Sequence, residues 1–445
     1  MQPGGTVDSA TSATVCNSEQ SHTHFLRKAQ AHNTSQRHLK QRRNTEERAP
    51  FHDKFSAGIL KEKPHTIVAQ NVTFAILRKM KTTIAIACGG TGGHIHPAMA
   101  VADKLREQGH ELVLILSGTR IAEAKTAETW DGPLLKSGAR PIRKSLNPVE
   151  PLANILAFFK CRRFLKKHRP ALLFATGGYT CFPPVLAARW LNIPVVFHEA
   201  NSLAGSAIRF CSKHFRIAAV ATSFEDTATQ LPSVKAVFTG LPLRTSVLTA
   251  LARARNVTRP ATRFTLLVTG GSQGAHGMNC LIAPVLAALA KADASVRLIH
   301  QCGINDCEWL TALYADTAPG AEITVTPFID DMGKAYGEAD LVIARAGAAT
   351  CFEIARCAVP TIFIPLPTAA DDHQRKNAEA LVRCGGAVCL DQRSTSPEQF
   401  ADVLRTLYSD ASLRQQMRAS FASLPQTDAA QAVADLLLEI AQSGK

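Results

Sequence analysis

The sequence has no CxxC pair, no GxxxxGK[ST] phosphate loop, few aromatic residues (6%, with 3 Trp and 4 Tyr) and no long apolar run. The longest run, Leu281 to Ala290, falls far short of the roughly 20 residues that cross a bilayer, so any membrane contact is expected to be peripheral. The 12 cysteines are scattered over 445 residues, many of them inside apolar strand or helix patterns (Cys88, Cys211, Cys351, Cys389). With no secretory apolar segment near Met1, reduced thiols in a cytosolic protein are expected. Neither RNA-binding aromatic motifs nor a DNA-reading helix is visible, and no nucleic-acid partner is expected. The length excludes a small stapled scaffold and sets a prior of two or three domains.

Positive charge is abundant: 50 Lys plus Arg against 36 Asp plus Glu, a net charge of +14. It is unevenly spread. Residues 1–79 carry 12 Lys plus Arg, 6 Asp plus Glu and 6 of the 15 histidines, with stretches such as Ser35 to Arg48 almost devoid of apolar side chains. Such a segment buries too little surface to offset chain entropy, so a disordered basic extension is expected there. It reads either as a tail for a polyanion or as an unpatterned extension ahead of a start at Met80, the second being preferred. The remaining 366 residues carry 38 positive and 30 negative charges, +8, and the domain prior falls to two.

From Met80 onward short apolar strands alternate with helical patterns, which predicts an α/β protein with parallel sheets. Strands are expected at 83–88, 111–116, 171–175, 194–198, 217–222 and 236–239. The pattern restarts at 264–269 and continues at 296–300, 323–326, 341–344, 361–364 and 387–390. Two series imply two doubly wound domains, 80–243 and 244–426, joined through Gly240 to Arg263. Helical patterns at 397–408, 411–424 and 429–442 finish the chain, and residues 427–445 are expected to return to the first domain.

Each half opens with a strand running into a glycine turn: Gly89-Gly90-Thr91-Gly92-Gly93-His94 and Gly270-Gly271-Ser272-Gln273-Gly274-Ala275. Glycine lets backbone approach a ligand closely, and the next helix offers unpaired N–H donors to an anion, so a phosphate-bearing ligand between two domains is expected. A dinucleotide fits badly, because Ile95 stands where a third glycine is needed and the second strand ends Leu116-Ser117-Gly118 without an acid for a ribose.

The first loop with His94 and Pro97, Gly177-Gly178-Tyr179 with Pro183, His198-Glu199-Ala200-Asn201, Gly271 to Ala275, Phe328 to Met332, and Asp372-His373-Gln374 with Asn377-Ala378 resemble the MurG family of bacterial peptidoglycan glycosyltransferases. The motifs occur in the family's order and cover about Lys81 to Lys445. The resemblance implies a GT-B fold and transfer of N-acetylglucosamine from its UDP donor to the muramoyl 4-hydroxyl of lipid I, the undecaprenyl-linked muramoyl pentapeptide, giving lipid II. It further implies a peripheral enzyme on the cytoplasmic face of the inner membrane, with cell-wall synthesis or division proteins as further partners.

By the same resemblance Thr91, Gly92 and Gly93 line the donor's diphosphate and sugar, Ser272 and Arg244 meet phosphate, and the backbone of Ile329 reads uracil. Ala348, Ala349, Thr350, Cys351, Phe352 and Glu353 form a loop-to-helix segment in which Glu353 bonds the ribose. Asn201 and Gln374 bond the sugar, and Tyr179 and Thr180 meet the acceptor or simply make a tight turn. Departures are Leu241-Pro242 where Asn-Pro is usual, Cys351 and Phe352 where smaller or polar residues are usual, and His96 in place of an aromatic or apolar residue.

Helix N-termini and one arginine aimed at a leaving diphosphate lower its barrier without a metal. No DxD pair is present, Asp330-Asp331 and Asp371-Asp372 read as turn or cap residues, and neither a metal nor a cofactor is expected. Inversion needs a base. His94 and Glu199 are the candidates, each with a plainer alternative: a helix-start residue that bonds backbone or phosphate, and a partner for loop backbone.

Asn154 to Arg169 combines Ile155, Leu156, Phe158, Phe159, Phe164 and Leu165 with six Lys or Arg between 160 and 169. This composition suits a helix drawn to an anionic membrane surface, although helical spacing requires part of its apolar face to enter the core. Competing functions are another UDP-sugar enzyme, a glycolipid synthase or an epimerase, and last a basic polyanion-binding protein.

Overall fold

In the computed structural model the described residues are 81–90, 92–118, 121–141, 149–255, 263–271 and 273–443. The extension expected over 1–79, and the site candidates Thr91 and Ser272, lie outside them. The expected doubly wound α/β architecture is what forms. The first half is a seven-stranded sheet in the order β3 (Leu134–Lys136), β2 (Glu111–Leu116), β1 (Thr83–Ala87), β4 (Leu172–Ala175), β5 (Val195–Glu199), β6 (Ala219–Thr222), β7 (Ala236–Phe238). The second is a six-stranded sheet in the order β10 (Glu322–Thr326), β9 (Val296–Gln301), β8 (Phe264–Thr269), β11 (Leu341–Ala344), β12 (Thr361–Phe363), β13 (Ala387–Cys389). Every pairing in both is parallel.

Strands buried on both faces read as continuous apolar runs, which is why β1 (Thr83–Ala87), β2 (Glu111–Leu116), β4 (Leu172–Ala175), β5 (Val195–Glu199) and β8 (Phe264–Thr269) are legible in sequence. One strand was not expected: β3 (Leu134–Lys136), a three-residue edge strand beside β2, too short to show a pattern. The basic run assigned to the junction is instead mostly a helix, α7 (Thr245–Arg255), whose Leu251 and Ala254 are buried in the core beneath the second sheet.

In both sheets the strand order reverses beside the opening strand, between β1 and β4 and between β8 and β11 (Leu341–Ala344). Helices leave in opposite directions at such a switch and open a crevice at the strands' carboxyl ends, where ligands of open α/β sheets bind. Both glycine loops sit there, one ahead of α1 (Gly92–Glu107) and the other ahead of α8 (His276–Ala292).

The chain crosses between halves twice. After the second half is complete, the closing helix α15 (Ala429–Ser443) returns to the first, where Val433 and Leu437 share one core with Ile84, Val101 and Phe174. Lys104 and Asp428, 3.3 Å apart, fasten its start to α1.

Direct contacts also join the halves. Asn377, fully buried on α12 (His373–Arg383), accepts the Ser202 N–H at 2.8 Å and donates to Asn201 Oδ1 at 3.2 Å and the Ala346 carbonyl at 3.1 Å. Arg209 pairs with Asp371 at 3.1 Å, and Arg383 with Asp226. Phe224 meets Phe352 edge-on at 5.0 Å between centroids. Replacing Asn377 by Ala strands the buried Ser202 N–H and is expected to cost about 1–3 kcal/mol for that donor alone. The variant's urea midpoint should fall accordingly, and a midpoint equal to that of the parent would show that the bridge contributes nothing.

Candidate active site

A cleft of about 1180 Å³ runs between the two switch points. The first half gives Gly90, Gly92, Gly93 and His96 to its wall, the junction gives Arg244 and Ser246, and the second half gives Gly271, Gln273, Ile329, Thr350 and Glu353. Of the residues singled out in sequence, Gly92, Gly93, Arg244, Ile329, Ala349, Thr350 and Glu353 therefore meet at one cavity.

The first loop is built around a carboxylate that the sequence reading passed over. Glu123, buried on α2 (Ile121–Thr129), accepts the Gly90 N–H at 2.7 Å, the Ser117 hydroxyl at 2.6 and 2.8 Å, and the Gly118 N–H. It lies six residues beyond Ser117, on the helix after β2, and is turned inward onto loop backbone. Gly89 and Gly90 both have φ in the left-handed range, and Tyr179 and Thr180 pack against them: Cβ atoms there would lie 3.4 Å from Thr180 Cγ2 and 3.8 Å from Tyr179 Cε1. Thr180 is consequently buried, whereas the Tyr179 hydroxyl is a buried oxygen without a protein partner.

In the second loop Gly274 has φ +75° and is pressed onto the Cys302–Gly303 backbone, where a Cβ would collide with the Cys302 carbonyl oxygen. Only glycine fits there. Gln301 braces the loop, donating from Nε2 to the carbonyls of Gly271 and Pro327 at 3.0 Å each and accepting the Thr269 hydroxyl at 2.9 Å.

Glu353 projects into the cleft from α11 (Ala348–Cys357) and accepts the Tyr336 hydroxyl at 3.3 Å. Burial pushes its carboxyl up to about 7, against the opposing pull of Tyr336 and Arg244. The neighbouring side chains point elsewhere, as helical geometry dictates. Cys351 is fully buried in the core, and Phe352 lies against Phe224 in a separate cavity behind α11, so neither side chain faces the cleft. Ala348 begins the same helix and is not among the lining residues.

His94 is half-buried on the first turn of α1 beside the Gly177–Gly178 backbone, where a Cβ on Gly178 would lie 3.4 Å from the ring. Burial, and then His373 from the second half, lower its pKa, so the imidazole is neutral at pH 7. Glu199 is buried, and both its oxygens are occupied: Oε1 accepts the Asn201 N–H at 2.9 Å and Asn201 Nδ2 at 3.3 Å, and Oε2 accepts the Gly205 N–H at 2.7 Å. Burial raises its pKa despite these donors. Asn201 links Glu199 to Asn377, and Gln374 accepts the Leu366 N–H at 3.0 Å.

Asp331 caps α10 (Met332–Glu338) by accepting the Lys334 N–H at 2.9 Å, while Asp371 and Asp372 are ion-paired to Arg209 and Arg375. Among the described residues no group of three or more His, Cys, Asp or Glu could hold a metal ion. Residues the sequence reading left without a role are thus Glu123, Gln301, Asn377 and the cleft-lining His96. A buried acid soon after β2 and an asparagine inside an amphipathic helix were visible, but their partners are not local.

The glycosyltransferase family 28 N-terminal domain matches residues 84–220 and its C-terminal domain residues 265–433. Over 356 residues the chain is 37% identical to the UDP-N-acetylglucosamine–N-acetylmuramyl-(pentapeptide) pyrophosphoryl-undecaprenol N-acetylglucosamine transferase of Geobacter sulfurreducens, covering 79% of this chain and 97% of that one. The protein of the same name from Nitrosococcus oceani is 37% identical over 367 residues, covering 81% and 99%. The crystal structure of Acinetobacter baumannii MurG superposes with a TM-score of 0.68 at 34% identity, covering 81% of this chain and all of that one. With that identity sustained over nearly the full length of its relatives and the same pair of sheets, the chain belongs to the MurG family of glycosyltransferases.

Proposed function

We propose that the protein transfers N-acetylglucosamine from UDP-N-acetylglucosamine to the muramoyl 4-hydroxyl of lipid I, with inversion and without a metal ion, giving lipid II. The observation that carries this reading is the convergence of two glycine loops, Arg244 and Glu353 on one cleft. The acceptor oxygen attacks the anomeric carbon from the face opposite UDP. The sugar–phosphate bond breaks, its electron pair leaves on UDP, and the hydroxyl proton passes to a base. His94 is the proposed base, because a neutral imidazole can accept a proton; Glu199 is proposed as the group that holds the 199–205 loop. Negative charge gathering on the diphosphate is met by Arg244 and the N-terminus of α8, fixed before the reaction and needing no reorganisation.

The purified protein should transfer labelled sugar from UDP-N-acetylglucosamine to a lipid I analogue in excess chelator. His94→Gln should lower kcat by about 10²-fold or more while UDP affinity holds. Absence of both UDP binding and transfer would overturn the reading; transfer abolished by chelator would overturn metal independence; an equal loss of UDP affinity in His94→Gln would remove it as base.

Glu353 is proposed to accept the ribose hydroxyls. Its ordinary pKa of 4.5 is raised on folding to about 7, so between these values the folded chain holds a proton that the unfolded chain has released. Stability from this group falls as pH rises through that window. Glu353→Gln should therefore gain thermal stability relative to the parent from pH 5 to pH 8, yet bind UDP about tenfold or more weakly through loss of charge-assisted bonds. A variant that binds UDP equally well would remove Glu353 from the donor site.

Membrane docking is proposed through α3 (Val149–His168). Only Ala157, Cys161 and Leu165 of this helix are buried, while Leu152, Ile155, Leu156 and Phe159 are more than half exposed, beside Trp190 at 68%. Ile155, Phe159 and Trp190 line an apolar groove of about 550 Å³, and Lys160, Arg163, Lys166 and Lys167 continue along the exposed helix. No helix among the described residues is long and apolar enough to cross a membrane. Ile155→Ser with Phe159→Ser should weaken binding to anionic vesicles by about tenfold or more, each side chain forfeiting ~1.5–3 kcal/mol if fully inserted. Unchanged vesicle binding would discard this face.

A further inference from the structure

His96 stands on the cleft wall with no role in the account so far. It is one helical turn into α1, and its ring folds back over the helix start: a Cβ on Gly92 would lie 3.2 Å from His96 Nε2. Glycine at 92 thus leaves room for an imidazole at the positive end of a 16-residue helix, on the same cavity as Arg244, Gly271 and Gln273.

We infer that His96 is a further contact to the donor's diphosphate, a proton-taking partner of Arg244 on the first half's wall. The inference rests on the UDP-sugar reading of the cleft. The charged groups around this cavity are Arg244 from the junction, Glu353 from α11, and Asp330 and Asp331 from the loop before α10; Asp103 on α1 lies near Arg244. Desolvation first and the Arg244 guanidinium second hold His96 below its ordinary value, and it is neutral at pH 7. A diphosphate bound between the two side chains outweighs both effects, because it neutralises Arg244 and supplies an anionic acceptor for the imidazolium N–H. The proton comes from solvent on binding and returns to it when UDP leaves. As the sugar–phosphate bond breaks, the wall then presents two cations to the charge that develops, beside the start of α1.

The experiment compares UDP dissociation constants of the full chain, His96→Phe and His96→Lys from pH 5.5 to 8.5. The ratio of the variant's constant to the parent's cancels the titration of UDP itself and of Glu353. For His96→Phe the ratio should stay within about twofold of unity at pH 8.5 and climb steadily toward pH 5.5, approaching about tenfold once the pH is below the free side chain's pKa, as expected for one unit of pKa gained on binding. His96→Lys, which keeps a cation at every pH, should hold the parent's low-pH affinity up to pH 8.5. His96 is exposed, so both variants should unfold at the parent's temperature. A ratio for His96→Phe that does not change with pH, although UDP binds, overturns the inference and leaves the donor reading intact. Failure of the parent to bind UDP at any pH overturns the donor reading and this inference with it.

Discussion

A carboxamide sealed from water must find partners for its polar atoms, and at Asn377 those partners come from two sheets. One end of the amide accepts the Ser202 N–H of the first half, and the other donates to Asn201 and to Ala346 at the end of β11. Through Asn201 the constraint reaches Glu199, and through Glu199 it reaches Gly205 at the start of α5 (Ser206–His214). The loop carrying Asn201 is thus referenced to the second half rather than to its own sheet alone. Because an unsatisfied buried polar group is expensive, the relative placement of the two glycine loops is held by hydrogen-bond geometry in addition to apolar contact.

The two loops solve the same problem with different braces. In the first, a buried carboxylate gathers the N–H groups of Gly90 and Gly118, leaving the start of α1 to face the cleft. In the second, the Gln301 carboxamide takes carbonyls and a hydroxyl, while Gly274 permits backbone to touch backbone. Glu123 stands behind the cleft wall, whereas Gln301 also lines the cavity. Both fix the donors before charge develops, which is the condition under which such groups lower a barrier.

Much of this was legible in the sequence, and the division has a physical cause. Twelve of the thirteen strands among the described residues stood out, the central ones because parallel strands covered on both faces must be apolar throughout; β3, three residues at an edge, had no pattern to read. Glycine loops announce themselves because backbone conformation restricts what can replace them. Directions within α11 were less accessible: Glu353 and Phe352 are neighbours in sequence, yet one lines the cleft and the other packs against Phe224. The roles of Glu123, Gln301 and Asn377 depend on partners brought together by tertiary structure, and no local signal encodes that. His96 looked like a mere departure from a family pattern until the cleft placed it beside Arg244.

The return of α15 has a consequence for synthesis. Topologically the second half is an insertion within the first, because the described chain both starts and finishes on the first sheet. Val433 and Leu437 belong to the same core as Ile84, yet they leave the ribosome some 350 residues later. The second half can close around its own strands while translation continues, but the first remains open along one flank until the final turns arrive. A chain cut short near Leu424 would keep the whole second sheet and lose the cover of the first half's core, so premature termination would expose apolar surface in the half that was made first.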